Sequence, residues 1–546
     1  MAQAGGVAFA ATLLAAWLIA NPHTPDLAAA AYRLNLFDHA GLAVYDEHWY
    51  AGHHLPGYSL LFPPLAWLLG LRVVAVLSVL VSVACFERLT VGAYGRPARW
   101  ATGAFALAAV GDVWIGRLAF ALGVSFALGA LLALARGRSV AAGVLAALCA
   151  AASPVAGVLL ALAALTHALA RRSPRTLLVL AAPAAAVVVP VNLLFPEGGS
   201  QPYPIVSFAA TVAVVATFMA ALPREQRLLR AGGAIYLLAC LVVLLVPTPM
   251  GSNVERYAVL LAGPLLACAV LSARARHDAA GVAGEARSED GRPALESRGG
   301  ARPMPVVVLA LCAWVAWAGW GPLRETLAVA GNGSTRAAYY APVERFLRAH
   351  ARAPVRLEVP LTRSHWETAE LAPRISLARG WEKQLDTRFD GVLLARDLTA
   401  DAYARWLREQ AVAYVALPDT KLDRSSAREG ELIRAGLPYL REVFASRHWR
   451  VYAVRSPTPL LSGPGRLTSL GHESFALSAS SPGSFLVRVR FTRYWTIAHG
   501  SGCVGRAPGG WTKVVARAPG RLVVRASFSL SRALGLAGSC HAARQA

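Results

Sequence analysis

NPHTPDLAAAAYRLNLFDHAGLAVYDEHWYAGHHLPGYSLLFPP, residues Asn21–Pro64, stands between two apolar segments and differs from both. It holds the carboxylates Asp26, Asp38, Asp46 and Glu47, the imidazoles His23, His39, His48, His53 and His54, and the aromatic residues Tyr45, Trp49, Tyr50 and Tyr58. A loop this rich in titratable and aromatic groups, pinned at a bilayer surface at both ends, suits chemistry on a lipid-borne substrate.

Outward from that loop, the chain of 546 residues is 56% hydrophobic and 16% charged, and its apolar residues come in long blocks rather than at amphipathic spacing. Such a composition marks an integral membrane protein. The blocks stop near Pro322, so a soluble part follows. The net charge of +23 rests on arginine, because the only lysines are Lys383, Lys421 and Lys513. Positive-inside loops and a surface tolerant of anionic lipid account for it. No zinc-finger spacing, RNA-binding signature or basic helix run is present, so nucleic acid is not an expected partner. Cys85, Cys149, Cys240, Cys268 and Cys312 lie in apolar segments as small hydrophobes. Cys503 and Cys540 lie in the tail and can pair if that tail is outside the cytoplasm.

Gly6–Ala20 reads as a retained first membrane helix, since neither a preceding Lys or Arg nor a small-x-small cleavage site accompanies it. Tyr58–Leu89, broken by Pro63-Pro64 and Arg72, reads as a re-entrant or kinked entry and one crossing. The clusters Arg96/Arg99, Arg136/Arg138, Arg171/Arg172/Arg175, Arg224/Arg227/Arg230 and Arg274/Arg276 are placed inside by the positive-inside rule. About eleven crossings result, with the tail extracytoplasmic on a multi-pass protein of the cell membrane. The expected domains are a membrane domain over 1–322, an α/β domain over 323–458 and a β-sandwich over 459–546. Within the first, 21–64 is the outer loop and 273–303, rich in Gly, Ala and mixed charge, a disordered cytoplasmic loop.

The α/β reading rests on the apolar runs Val355–Val359, Val412–Leu417 and Trp449–Val454 between helical patterns at Ala400–Gln410 and Arg428–Ala435. From Leu467 to Leu530 the period becomes two, as in Phe485, Val487, Val489 and Phe491, and then Val524, Ala526, Phe528 and Leu530. That alternation predicts an antiparallel sandwich, in which Trp495 and Trp511 are either core residues or stacking platforms for glycan.

GxxxxGK[ST], HExxH, GxSxG and CxxC are all missing, which leaves nucleotide hydrolysis, zinc proteolysis, serine esterase and thioredoxin-type chemistry without a motif. Asp26 follows the first helix closely enough to be a partly desolvated general base, yet Thr24-Pro-Asp is also a good helix start. Asp46, Glu47 and His48, with His53 and His54, offer donors for Mg²⁺ or Mn²⁺, or polar contacts in an ordered loop. Tyr50, His53 and His54 are candidate substrate contacts, whereas Tyr45, Trp49, Tyr50 and Tyr58 also fit an interfacial belt. Arg117 and Arg256 flank outer turns in apolar surroundings, where each either holds a phosphate or pairs internally, Arg117 with Asp112 and Arg256 with Glu255.

In this pattern the chain resembles the GT-C class of polytopic glycosyltransferases, with many helices, a long acidic first outer loop and a soluble C-terminal part. WYAGHHLPGYSLLFPP (Trp49–Pro64), GRLAFALG (Gly116–Gly123), SHWETAEL (Ser364–Leu371), ARGWEKQLD (Ala378–Asp386) and SRHWRVYAV (Ser446–Val454) resemble a group of actinobacterial conserved membrane proteins over nearly the whole chain. The class resemblance implies a polyprenyl-phosphate sugar donor, a cell-envelope glycan acceptor, inversion at the anomeric carbon and an acidic base at Asp26. Unlike the class pattern, no Asp-x-Asp or Asp-Glu pair follows the first helix closely; the only adjacent pair is Asp46-Glu47. A transporter or lipid flippase, and a noncatalytic envelope scaffold, are the competing classes. Against transport stand the lack of an obvious internal repeat and the large tail.

The orientation is open to direct measurement. Single cysteines at Asp290 and Thr420, introduced on a cysteine-free background, should be labelled by an impermeant reagent on whole cells at 420 and not at 290. The reverse pattern would invert the topology.

Overall fold

The computed structural model of the protein describes residues 5–285, 304–351, 353–536 and 540. The chain forms two compact units, one of Met1–Pro22, Tyr58–Pro190 and Ser200–Leu327, the other of His23–Gly57, Val191–Gly199 and Ala328–Ala546. The polar first loop therefore belongs to the same unit as the soluble tail.

The first unit is helical. Leu71–Tyr94, Leu118–Ala135, Pro154–Arg171, Leu177–Leu194, Arg227–Leu245, Gly251–Ala279 and Met304–Val329 are long and apolar enough to cross a membrane. Among the described residues, seven such helices stand against the expected eleven crossings; the shorter Gly5–Ala20, Thr102–Ile115, Ser139–Ala152 and Ile205–Ala221 occupy the remaining expected intervals. The kinked entry is present as Phe62–Leu69, with proline in its first turn, where a missing N–H leaves no bond unmade. Gly70, at φ 89°, separates it from Leu71–Tyr94. Small residues let neighbouring helices approach closely: a Cβ on Gly123 would stand 2.7 Å from the Ala156 methyl, and one on Gly157 2.9 Å from Ala150. Residues 273–285 of the expected disordered loop are instead a continuation of the helix Glu255–Glu285. Ala and Arg there favour helix, and composition cannot separate such a run from an unstructured one. The rest of that loop, 286–303, lies outside the described residues.

The second unit joins two sheet systems. Strands β1 (Tyr45–Asp46) and β2 (His53–His54) pair antiparallel within the first loop. Strands β3 (Arg356–Glu358), β4 (Ser376–Leu377), β5 (Val412–Pro418), β6 (Leu440–Ala445) and β7 (Trp449–Val454) make a mixed sheet in the order β4-β3-β5-β7-β6. Helix Ala400–Glu409 begins at Thr399, whose side chain accepts from the Ala402 N–H, and it buries Tyr403, Ala404, Trp406 and Leu407. The sandwich comprises β8 (Leu461–Ser462), β9 (Gly465–Gly471), β10 (Ser474–Ala479), β11 (Gly483–Arg490), β12 (Trp495–His499), β13 (Gly502–Arg506), β14 (Trp511–Ala516) and β15 (Gly520–Ala526). Its two antiparallel sheets run β12-β15-β10-β9 and β13-β14-β11-β8. Phe475, Leu477, Phe485, Val487, Val489, Leu522 and Val524 fill its interior, as the period-two pattern requires. Alternation misleads past Ala526: Phe528 packs beside Phe195 and Tyr494, and Leu530 opens a short helix. Cys503 and Cys540 form a disulfide.

Tyr45, Trp49 and Tyr50 of the first loop are interior structure rather than an interfacial belt. Tyr32, Trp49 and Tyr50 share one core with Tyr340, Leu357, Leu385, Trp449 and Val451, while Tyr45 packs into the sandwich core with Phe475 and Trp495. Large aromatic area finds more apolar surface in a protein core than at a wet interface, which is the physical reason for the difference. Trp495 and Trp511 are also buried, the latter under the Arg490 guanidinium at 4.9 Å, so neither offers a ring face to glycan.

The loop's turn generates a stability prediction. Gly52 has φ 131°, and a Cβ on it would lie 1.8 Å from Tyr45 Oη, whose hydroxyl donates to the Arg490 carbonyl at 2.7 Å. Gly52→Ala should therefore destabilise the protein by about 2 kcal/mol or more, seen as a lowered Tm. Gly57→Ala, with nothing within 4 Å of its Cβ, is the control and should leave Tm in place.

Candidate functional site

Three of the sequence's candidate residues meet in the β1–β2 turn, through which the chain passes with Tyr50 at φ 57° and Ala51 at φ 60°. Asp46 is fully buried: Tyr32 Oη donates to Oδ2 at 2.8 Å, His472 Nδ1 lies 2.9 Å from Oδ1, and the His48 N–H donates to Oδ1 at 3.1 Å. Burial alone would raise this carboxyl, but the His472 hydrogen bond and the His472, His53 and His48 rings outweigh it and hold Asp46 well below the usual carboxylate range. Glu47 accepts from Arg356 Nη2 at 2.7 Å and from Ser376 Oγ at 2.9 Å. Burial pushes Glu47 up to about 7 against the pull of Arg356. His48 Nδ1 is 2.6 Å from the Ala372 carbonyl, and burial, then His472, lowers this ring to about 4, so it is neutral at pH 7.

A divalent cation does not fit this donor set. Both Asp46 oxygens and Glu47 Oε1 are engaged by Tyr32, His472, Arg356 and Ser376, which leaves Glu47 Oε2 as the one oxygen of the two carboxylates with no hydrogen bond, and among the described residues no group of three His, Cys, Asp or Glu converges as a metal site. Tyr50 is likewise occupied: its hydroxyl donates to Asp386 Oδ1 at 2.9 Å, accepts from the Glu382 N–H at 2.9 Å, and its ring has no exposed surface. A sugar cannot reach that ring. His53 is buried against Trp49 at 5.7 Å between centroids, whereas His54 keeps a partly exposed edge beside Glu197 and Thr492.

Asp26 is in the first turn of helix Pro25–Ala40 and half-buried, with Thr24 at the N-cap and Pro25 opening the helix. A helix does start here, with Asp26 in its first turn and Thr24 rather than Asp26 at the N-cap. Two motifs fix this helix. Trp366 of SHWETAEL donates to the His23 carbonyl at 2.9 Å, and Glu382 of ARGWEKQLD pairs with Arg33 one face further along. Neither partner was legible beforehand, since each is more than three hundred residues away in sequence.

In the helical unit, Arg117 stands at the N-cap of Leu118–Ala135 and its Nη1 donates to Asp112 Oδ1 at 3.1 Å, the expected internal pair. The second expected pair is replaced. Arg256 Nη2 donates to Asn253 Oδ1 at 2.6 Å and its guanidinium lies 5.1 Å over the Phe120 ring, while Glu255 sits in the fields of Arg117 and Arg324. Adjacent residues on a helix point about 100° apart, which is why Glu255 and Arg256 face different neighbours. Tyr257, next in the chain, lines an apolar cavity of about 180 Å³ together with Phe218, Tyr236, Leu261 and Leu265. Neither Arg117 nor Arg256 is in that lining.

No protein-family model matches the chain, and no curated protein matches it. Among solved structures it is similar to ArnT from Cupriavidus metallidurans bound to undecaprenyl phosphate, at a TM-score of 0.44 and 14% identity, over 83% of this chain and 98% of that one. The apo form of the same protein gives a TM-score of 0.45 at 14% identity, over 82% and 97%.

The Asp46–His472 contact has a defined pH signature. Asp46, depressed from 3.8, contributes stability above that value and loses it as pH falls through the folded pKa. His472 is raised from 6.5, its Asp46 contact outweighing burial, so its contribution is complete below 6.5 and is lost as pH rises through the folded value. Asp46→Asn should thus lower stability by about 3 kcal/mol between roughly pH 4 and 6.5, with the gap to wild type narrowing on either side. Thermal melts from pH 3 to 9 measure it, and a gap independent of pH would remove the ion pair as its cause.

Proposed function

We propose that this protein is a membrane glycosyltransferase that moves a sugar from a polyprenyl-phosphate donor to a cell-envelope glycan at the outer face. What supports the reading is the presence in the helical unit of two guanidinium groups at helix starts, Arg117 and Arg256, and of an apolar cavity whose lining includes Tyr257 but neither arginine. A phosphate on a long isoprenoid chain has this polarity. The Cys503–Cys540 disulfide supports an extracytoplasmic tail, because such bonds persist in oxidising compartments.

In the reaction the acceptor hydroxyl oxygen bonds to the anomeric carbon as the bond from that carbon to the phosphate oxygen breaks. Asp26 takes the hydroxyl proton, and the polyprenyl phosphate leaves with the bonding electrons. A single displacement inverts the anomeric centre. Arg117 or Arg256 neutralises the departing phosphate, a role suited to a planar guanidinium. No step is routed through a metal at Asp46, Glu47 and His48, which among the described residues form no convergent metal-binding group.

Asp26→Asn keeps the size and most hydrogen bonding of the side chain and removes its basicity. Turnover with polyprenyl-phosphate sugars and envelope-glycan acceptors should fall by ~10²- to 10⁴-fold, with expression and donor binding retained. Asp46→Asn, compared below its melting temperature, should leave the chemical step nearly intact. Transfer by the Asp26→Asn protein at the wild-type rate would return Asp26 to the role of helix start alone.

A further inference from the structure

A second cavity, of about 310 Å³, opens in the unit that carries the sheets, between the end of helix Ala337–His350, the chain at 353–355 and the chain at 374–376. Leu347, Val355, Ile375 and Leu470 supply apolar wall, and buried His48 closes one side. Its charged lining is Arg348, Arg374 and Glu344. The two arginines grip opposite oxygens of one carboxylate, Arg348 Nη2 on Glu344 Oε1 and Arg374 Nη1 on Glu344 Oε2, the latter at 3.1 Å. Glu344 is 18% exposed while the arginines are 69% and 63% exposed. Each guanidinium thus has an N–H on the shared carboxylate, which ties the two together, and is otherwise mostly exposed.

The remaining groups narrow the ligand. Glu370 adds its field to Arg374 from outside the lining, so the site attracts an anion by directed N–H donors more than by net charge. His48 is neutral at pH 7 for the reasons given above and adds no competing cation. A mixed wall of aliphatic side chains and fixed polar groups suits a pyranose ring, which has apolar faces and hydroxyl edges, and the volume accommodates one.

From this geometry we infer that the cavity binds an anionic saccharide unit, a sugar ring bearing a carboxylate or phosphate, with Arg348 and Arg374 taking the anionic group. The inference extends the proposed function by giving the acceptor glycan a charged residue. It rests on that reading for its biological meaning and is independent of it for binding.

Equilibrium binding to the full-length protein in detergent, with no lipid donor present, tests it with glucuronate, glucose 6-phosphate, glucose and inorganic phosphate as probes. At least one charged sugar should bind about tenfold or more tighter than glucose, the size expected for charge-assisted bonds to a guanidinium pair. Glucuronate ahead of glucose 6-phosphate identifies a carboxylate, and the reverse order a phosphate. The double variant Arg348→Gln/Arg374→Gln should abolish the preference at unchanged Tm, while Arg450→Gln, which removes the exposed pair with Glu442, should preserve it. Equal binding of glucose and both charged sugars, a preference surviving the double variant, or inorganic phosphate binding as tightly as the sugars would each overturn the proposal. Because no transfer is measured, loss of the glycosyltransferase reading and loss of this site are separate results.

Discussion

The buried ion pair between Glu47 and Arg356 is the contact on which the second unit depends. Both side chains are at most 1% exposed, and Arg356 also donates to the Gln410 carbonyl at 2.8 Å and to Ser376 Oγ at 3.2 Å. Desolvating two such charges is costly, and the cost is met only when geometry and accessory hydrogen bonds are complete. They are complete here on the arginine side, through β3, β4 and the end of helix Ala400–Glu409. The neighbouring Asp46 reaches the sandwich instead, through His472, whose carbonyl accepts from the Glu47 N–H at 2.8 Å. One dipeptide therefore ties a mixed sheet and a sandwich to the same loop.

That arrangement reassigns much of the loop's chemistry to architecture. Asp46, Glu47, His48, Tyr50 and His53 are the groups that composition marks as reactive, and each is spent on a specific internal partner. Perturbed ionisation accompanies structural networks as readily as catalytic ones, and here it goes with burial and specific internal partners. Asp26 lies earlier in the loop, in the first turn of helix Pro25–Ala40. It is half-buried at a helix start that Trp366 and Glu382 hold in place, so its position is specified while part of its surface stays open.

The helical unit shows the same division between what composition announces and what contacts decide. An arginine in apolar surroundings must find an anion, a dipole or a ring, and sequence neighbours are the first guess. The guess holds for Arg117 with Asp112, five residues apart and across a helix break at Gly116. It fails for Arg256, which turns to Asn253 and Phe120.

Membrane class, the intervals of the apolar helices, the α/β region and the sandwich were legible in the chain, because each is a periodic or block pattern of apolar residues that local geometry imposes. The motif SHWETAEL was visible as a string and mute as to purpose: that Trp366 anchors His23, and that Arg356 meets Glu47, are facts of long-range packing with no local signature. The aromatic loop was misread as an interface belt for the same reason, since Trp49 and Tyr50 look alike whether their faces meet lipid headgroups or Leu385 and Trp449. Hydropathy thus determined which segments leave water. Tertiary structure alone decided which buried group neutralises which, because Coulomb and hydrogen-bond energies depend on distance in space and not on separation along the chain.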